Sequence, residues 1–143
     1  MADTVVTKWI GDLSFDSLVS GHHVTLDSDS QYGGHDAGPR PKALLLTALT
    51  GCSGMDIVSI LNKMKVEDYS LMMEATGIQT EEHPKHYHTI TVSFKFAGKN
   101  LPEDKIVKAV KLTNEKYCGV SEMLRQSAKI IIKVFINDSE VAI

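Results

Sequence analysis

The chain has 143 residues, of which 43% are hydrophobic and 23% are charged, and these proportions predict one globular domain over residues 1–143. The net charge of −3 gives no electrostatic reason to expect nucleic acid or an anionic membrane as a partner. Polar or small residues interrupt every long apolar stretch, so no membrane-spanning helix is expected. With no recognisable signal peptide and only two cysteines, the chain is expected to be a cytoplasmic protein without a disulfide scaffold.

Three short strand-like runs come first. Gly11-Asp12 and Ser20-Gly21 are typical turn pairs and separate these runs. The predicted strands cover residues 5–10, 13–16 and 23–26. A polar, glycine-rich loop follows as far as Gly38.

The first predicted helix begins at Pro41, a residue type suited to the first helical position, and continues to about Met64. Its apolar residues cover most of the circumference. This pattern predicts a long central helix that is largely buried.

The second half of the chain alternates between strands and helices. Strands are predicted over residues 70–78 and 87–96, joined by a polar hairpin loop. A second helix is predicted from about Leu101, a third over residues 119–127, and a final strand over residues 130–136. The order β-β-β-α-β-β-α-α-β predicts an α+β fold, with helices segregated on an antiparallel sheet.

The two cysteines lie in different predicted settings. Cys52 lies inside the first helix, where the backbone N–H groups are already bonded to carbonyls one turn earlier. Cys118 lies where the third helix begins, and a helix start offers unpaired N–H groups that favour a thiolate. These two thiols are the strongest indication of function in the sequence.

The strings GPRPKALLLTALTGCSGMDIVSILNK and KYCGVSEMLRQSAKI resemble the OsmC/Ohr superfamily, most closely its YhfA-like branch. The resemblance implies antiparallel sheets packed around a long central helix, in an intertwined homodimer whose N-terminal strands lie across the partner. It also implies reduction of organic hydroperoxides, with Cys52 attacking, Cys118 resolving, an external dithiol as reductant and no cofactor. On this basis the two sulfurs are expected to lie close together.

The chain departs from the peroxidase branches of the superfamily at two positions. Those branches have a glutamate directly after the helix-opening proline, where this chain has Lys42, and an arginine in the N-terminal strand region, where this chain has none. Lys42 or Arg40 of a partner chain is therefore a candidate to stabilise the thiolate. Asp56, one turn after Cys52, would raise the pKa of that thiol if close to it.

A different function remains open. The same fold is compatible with a non-enzymatic dimer that binds a small apolar ligand in its interface pocket. His22 is a candidate for lining that cleft. His83, His86 and His88 have a spacing that invites a metal interpretation, but Pro84 makes a polar hairpin tip the simpler one, so no metal site is predicted.

Overall fold

The computed structural model describes residues 1–143, and every helix and strand predicted from the sequence is present. The elements in chain order are β1 (Val6–Gly11), β2 (Ser14–Val19), β3 (His22–Leu26), α1 (Pro41–Lys63), β4 (Tyr69–Gln79), β5 (Tyr87–Gly98), α2 (Glu103–Leu112), α3 (Gly119–Arg125), β6 (Lys129–Ile136) and β7 (Ser139–Val141). Three further elements were not predicted from the sequence, namely β7, a 3-10 helix (Ser30–Tyr32) and a π-helix (Thr113–Tyr117). The α+β class is confirmed.

The chain divides into two compact units, Met1–Leu45 and Leu46–Ile143. The first contains an antiparallel sheet in the order β1-β2-β3. Its two tight turns fall at the predicted glycine pairs, where Gly11 and Gly21 both have positive φ. Several large apolar side chains of this sheet remain exposed in the single chain, namely Val6, Trp9, Ile10, Phe15 and Leu18.

The loop after β3 is organised around the buried carboxylate of Asp27. Burial alone would raise the pKa of Asp27, but hydrogen bonds to the carboxylate outweigh it and lower the pKa to about 2. The donors are the backbone N–H groups of Ala37, Ser28 and His35 and the hydroxyl of Ser14. One side chain therefore satisfies three backbone groups that would otherwise lack partners.

The second unit contains a four-stranded sheet in the order β4-β5-β6-β7. The strands β4 and β5 form the predicted antiparallel hairpin, but β5 and β6 pair in parallel, from Thr89 opposite Lys129 to Phe96 opposite Ile136. The expectation of a purely antiparallel arrangement is therefore wrong for this pair. The reason is that α2 and α3 lie between the two strands and return the chain to the end of the sheet where β5 began.

The core of the second unit lies between this sheet and the helices. The predicted alternation of β5 is confirmed, because Ile90, Val92, Phe94 and Phe96 are buried. The helices contribute Leu49, Ile57 and Leu61 from α1 and Ile106, Ala109 and Val110 from α2. At Gly54, an added Cβ would lie 2.7 Å from the Met73 Cε atom, so the end of the Met73 side chain packs directly against the backbone of α1.

Helix α1 is less buried than its sequence predicts, since Met55 and Val58 are exposed in the single chain. An 18-residue window of α1 has a mean hydropathy of 1.7, so by length and composition alone this helix could cross a membrane. The threonines, serines and glycines of α1 do not lower its hydropathy enough to exclude a membrane-spanning helix, so the sequence argument against such a helix is not sufficient. Core helices of globular proteins pass the same test.

Candidate functional site

The two cysteines are carried by elements that meet inside the second unit. Cys52 lies in α1 among the small residues Gly51, Ser53 and Gly54. Cys118 occupies the N-cap of α3, directly after the π-helix, and its own backbone N–H donates to the carbonyl of Thr113 at 2.8 Å. Small side chains around one thiol and an extended backbone at the other leave room for the two sulfurs to approach.

The structure brings three of the predicted site residues together. The Sγ atoms of Cys52 and Cys118 and a carboxylate oxygen of Asp56 all lie within 4.8 Å of one another. Both cysteines are free thiols; Cys118 is buried and Cys52 is half-buried. The prediction that the two sulfurs lie close together is confirmed.

The sulfur of Cys118 accepts two hydrogen bonds. The backbone N–H of Ser121, in the first turn of α3, donates at 3.3 Å, as expected for an N-cap side chain. The hydroxyl of Ser53, next to Cys52 in α1, donates at 3.4 Å. Both donors are buried, so they hold the Cys118 side chain in one orientation against α1.

The surroundings of Cys52 disfavour its thiolate. Burial is the largest cause that raises the pKa of Cys52, followed by the hydrogen bond to Cys118 and, last, by electrostatic repulsion from the Cys118 and Asp56 side chains. A hydrogen bond from the backbone N–H of Val120 acts in the opposite direction but does not offset them. The expectation that Asp56 raises the pKa of Cys52 is confirmed.

Asp56 has one carboxylate oxygen without a partner. The Oδ2 atom is buried and makes no hydrogen bond. A buried acceptor that is left unpaired destabilises the folded state by about 1–3 kcal/mol, so an orphaned oxygen beside two thiols calls for an explanation.

Comparison with known proteins shows which family the chain resembles. The sequence profile described as "OsmC-like protein" matches residues 33–133. Protein YhfA of Escherichia coli K12 is 34% identical over 124 residues, which are 86% of this chain and 90% of YhfA. The chain belongs to the OsmC-like protein family.

Solved structures of other proteins share the fold of this OsmC-like chain. A hypothetical protein from Aquifex aeolicus VF5 matches with a TM-score of 0.84 and 30% identity, covering 96% of this chain and 97% of that one. The organic hydroperoxide resistance protein OhrB of Bacillus subtilis matches with a TM-score of 0.64 and 14% identity, covering 94% and 98%. The second likeness shows a shared fold only.

The remaining predicted site residues of this OsmC-like chain lie in its first unit. Arg40 makes ion pairs with Asp36 at 2.7 Å and Asp29 at 3.6 Å, so its guanidinium already neutralises two carboxylates of its own loop. That pairing weakens its candidacy as a thiolate partner. Lys42 lies in the first turn of α1, and His22 is exposed at the start of β3.

The histidines of the hairpin loop make local contacts. His86 Nδ1 lies 2.8 Å from the Pro84 carbonyl oxygen, and His88 Nδ1 lies 2.8 Å from the Thr89 hydroxyl. Each ring is therefore oriented by a neighbour in its own loop or strand.

Three residues that contact the thiols were not predicted from the sequence. Ser53 and Ser121 donate to Cys118, and Val120 donates to Cys52 through its backbone. The contact of Ser121 could have been predicted from the sequence, because the backbone N–H three positions after an N-cap residue commonly donates to the N-cap side chain. The contact of Ser53 could not have been predicted, because it joins residues sixty-five positions apart.

Two cavities adjoin the central part of α1. An open groove of about 750 Å³ is lined mainly by Gly51, Gly54, Met55, Val58, Leu71 and Met73. A smaller cavity of about 300 Å³ begins at Asp56 and is lined by Ser59, Ile60, Lys63, Leu112 and Tyr117. The first is mostly apolar, whereas the second leads to a carboxylate.

Proposed function

We propose that this protein is a thiol-dependent redox enzyme that reduces organic hydroperoxides with Cys52 and Cys118. The Cys52 thiolate attacks the terminal peroxide oxygen, the O–O bond breaks, and the alkoxide takes up a proton and leaves as an alcohol. Cys52 is thereby oxidised to a sulfenic acid. The Cys118 thiolate attacks the sulfenic sulfur, a disulfide forms and hydroxide leaves as water once protonated. An external dithiol then supplies two electrons and two protons and restores both thiols.

The separation of the two sulfurs is the observation that carries this proposal. They lie within 4.8 Å of each other on two elements of one unit. A disulfide has an S–S length of about 2.05 Å, so a small rearrangement of the start of α3 would close the bond. The hydroperoxide resistance proteins of the same fold add support to this choice of substrate class.

We expect the activity to be weak. An ordinary cysteine thiol is only a few per cent ionised at pH 7, and burial raises the pKa of Cys52 above the ordinary value. No arginine in the N-terminal strand region supplies a donor for the peroxide oxygens. Lys42 of a partner chain remains the proposed substitute, in which case Lys42→Ala should slow the alkylation of Cys52 near neutral pH.

Intact-mass analysis of the reduced, metal-free protein after stoichiometric cumene hydroperoxide tests the mechanism. We expect the wild type to lose two hydrogens as the disulfide forms, and Cys118→Ser to gain one oxygen that dimedone traps. The mass of Cys52→Ser should show neither change. An unchanged wild-type mass would overturn the proposal, and oxygen gained by Cys52→Ser would reverse the two roles.

The second candidate function is the binding of a small apolar ligand without catalysis. The groove of about 750 Å³ is within the size range of ligand sites, and Met55 and Val58 present apolar surface to it. Titration with an environment-sensitive apolar dye tests this candidate. Saturable binding that Met55→Lys abolishes, in a protein whose mass hydroperoxide leaves unchanged, would favour it over the enzyme.

The proposed functional unit is a homodimer in the cytoplasm. The apolar side chains of Trp9, Ile10 and Phe15 are exposed on a three-stranded sheet, and Met55 and Val58 are exposed on α1. Exposed apolar surface of this kind is typical of an interface between subunits. A reducing compartment would keep both cysteines available as thiols.

A further inference from the structure

We propose that Cys52, Asp56 and Cys118 together form a binding site for one thiophilic divalent cation, of which Zn²⁺ is the representative. This proposal replaces the expectation from the sequence that no metal site exists, and it does not depend on the peroxidase activity. It rests on three donor atoms that lie within 4.8 Å of one another and on a buried carboxylate oxygen without a partner.

The donor set and its spacing suit zinc. Zinc in proteins is bound by cysteine sulfur at about 2.3 Å and carboxylate oxygen at about 2.0–2.2 Å in tetrahedral geometry. Two sulfurs on such an ion lie roughly 3.8 Å apart, so donor atoms within 4.8 Å require only small side-chain rotations. Because Asp56 follows Cys52 by four residues, both side chains extend from the same face of α1.

The unpaired oxygen of Asp56 is the second, independent observation. Its Oδ2 atom is buried, makes no hydrogen bond and belongs to the carboxylate that lies beside both sulfurs. A cation held by that carboxylate would compensate the desolvation of this oxygen, as buried charges in proteins are usually compensated.

The neighbouring donors would support metal-bound thiolates. Ser53 and Ser121 donate to Cys118, and the backbone N–H of Val120 donates to Cys52. None of these three groups would compete for the metal, since each donates to sulfur rather than accepting from it. Hydrogen bonds of this kind orient ligands and typically change metal affinity by about 10- to 100-fold.

Three protein ligands leave a fourth position for a solvent molecule or a small anion. Asp56 also lines the cavity of about 300 Å³, and we place the fourth position on the side of the ion that faces this cavity. Lys63 and Tyr117 also line that cavity. Two thiolates and a carboxylate leave a net charge of −1 on a zinc complex, and the ammonium group of Lys63 would offset it.

Zinc binding at this site would compete with oxidation of the two thiols. Zinc binding requires both thiols to lose their protons to solvent, and a disulfide between the same sulfurs removes both ligands. Zinc-loaded protein should therefore react more slowly with hydroperoxide than metal-free protein. Binding itself can be measured without any hydroperoxide, so failure of one proposal leaves the other intact.

The test is a zinc titration of the reduced protein against a chromophoric chelator. We expect one Zn²⁺ per chain, little affinity for Mg²⁺, and at least tenfold weaker zinc binding in Asp56→Asn and Cys52→Ser. The matched control is Asp68→Asn, which makes the same chemical change at an exposed residue with positive φ, a conformation that asparagine tolerates. Far-ultraviolet circular dichroism checks that each variant is folded.

Cobalt(II) provides a second readout that reports the ligands directly. We expect thiolate-to-cobalt charge-transfer bands together with the intense visible bands of a tetrahedral ion, both lost in Cys118→Ser. Zinc bound with the same affinity by the wild type, Asp56→Asn and Cys52→Ser would place the ion elsewhere and overturn the proposal. Absence of one-to-one binding by the folded wild type would overturn it as well.

Discussion

The hydroxyl of Ser53 donates a hydrogen bond to the sulfur of Cys118 at 3.4 Å. The residue that follows one cysteine along α1 therefore contacts the other cysteine at the start of α3. Ser53 is fully buried, and Cys118 is 3% exposed. This bond links the two elements that carry the thiols and holds the start of α3 against α1.

Replacing Ser53 with alanine should destabilise the reduced protein. The change removes one buried hydrogen bond but leaves Cys118 with its donor at Ser121, so we expect a loss of about 0.5–1.5 kcal/mol in the free energy of unfolding. Urea denaturation measures it. Ser59→Ala, at an exposed position of the same helix, is the control. Equal stabilities of the two variants would show that the bond contributes nothing.

Removing the charge of Asp56 should make Cys52 more reactive. Burial is the main cause of the raised pKa of Cys52 and would persist in Asp56→Asn, but the smaller contribution of the carboxylate charge would disappear. The pKa of Cys52 should therefore fall, and its alkylation by iodoacetamide at pH 7.5 should be faster. Peptide mass spectrometry over pH 6–10, in metal-free buffer, separates Cys52 from Cys118. A rate no higher than that of Asp68→Asn contradicts this prediction.

Asp27 should make the stability of the protein depend on acid pH. Its folded-state pKa of about 2 lies below the ordinary carboxyl value of about 3.9, so its stabilising effect is present above pH 3.9. That effect is lost as pH falls through 2. In Asp27→Asn the free energy of unfolding should change less between pH 4 and pH 2. Urea denaturation over this range measures the difference, with the exposed Asp3→Asn as control.

The oligomeric state can be followed through the single tryptophan. Trp9 is 68% exposed in one chain, although its indole N–H donates to the Asp12 carbonyl at 2.8 Å. If the first sheet meets a partner chain, Trp9 emission should shift to longer wavelength on dilution as the dimer dissociates. Sedimentation should show that Trp9→Lys weakens the dimer, whereas Lys8→Ala, which changes the opposite face of β1, should weaken it less. A folded wild-type monomer at micromolar concentration would contradict the prediction.

Periodicity and turn chemistry predicted most of the fold. The alternation of β5 identified its buried face because one side chain in two points into the core. The pairing of β5 with β6 was missed, since the direction of a strand depends on the helices that connect it rather than on its own residues. The exposed face of α1 was also missed, because a composition that is apolar all round does not say which part is covered within one chain.

The candidate site could be predicted only in part from the sequence. The positions of Cys52, Asp56 and Cys118 on their elements followed from local sequence, and the family resemblance suggested that the sulfurs meet. The buried oxygen of Asp56 and the bond from Ser53 depend on how α1 packs against the start of α3. No local pattern contains that information, because each contact joins residues far apart in the chain.

The π-helix between α2 and Cys118 has a consequence for how this family can tolerate changes of length. A π-turn contains one residue more than an α-turn, and each residue of a helix rotates the chain by about 100°. Deleting one residue from Thr113–Tyr117 would therefore let this stretch close as an α-turn and keep the direction of Cys118, whereas inserting one residue into the regular turns of α2 would rotate Cys118 by about 100°. The separation of the two thiols should therefore tolerate the loss of one residue from the π-helix, but not a change of length within α2.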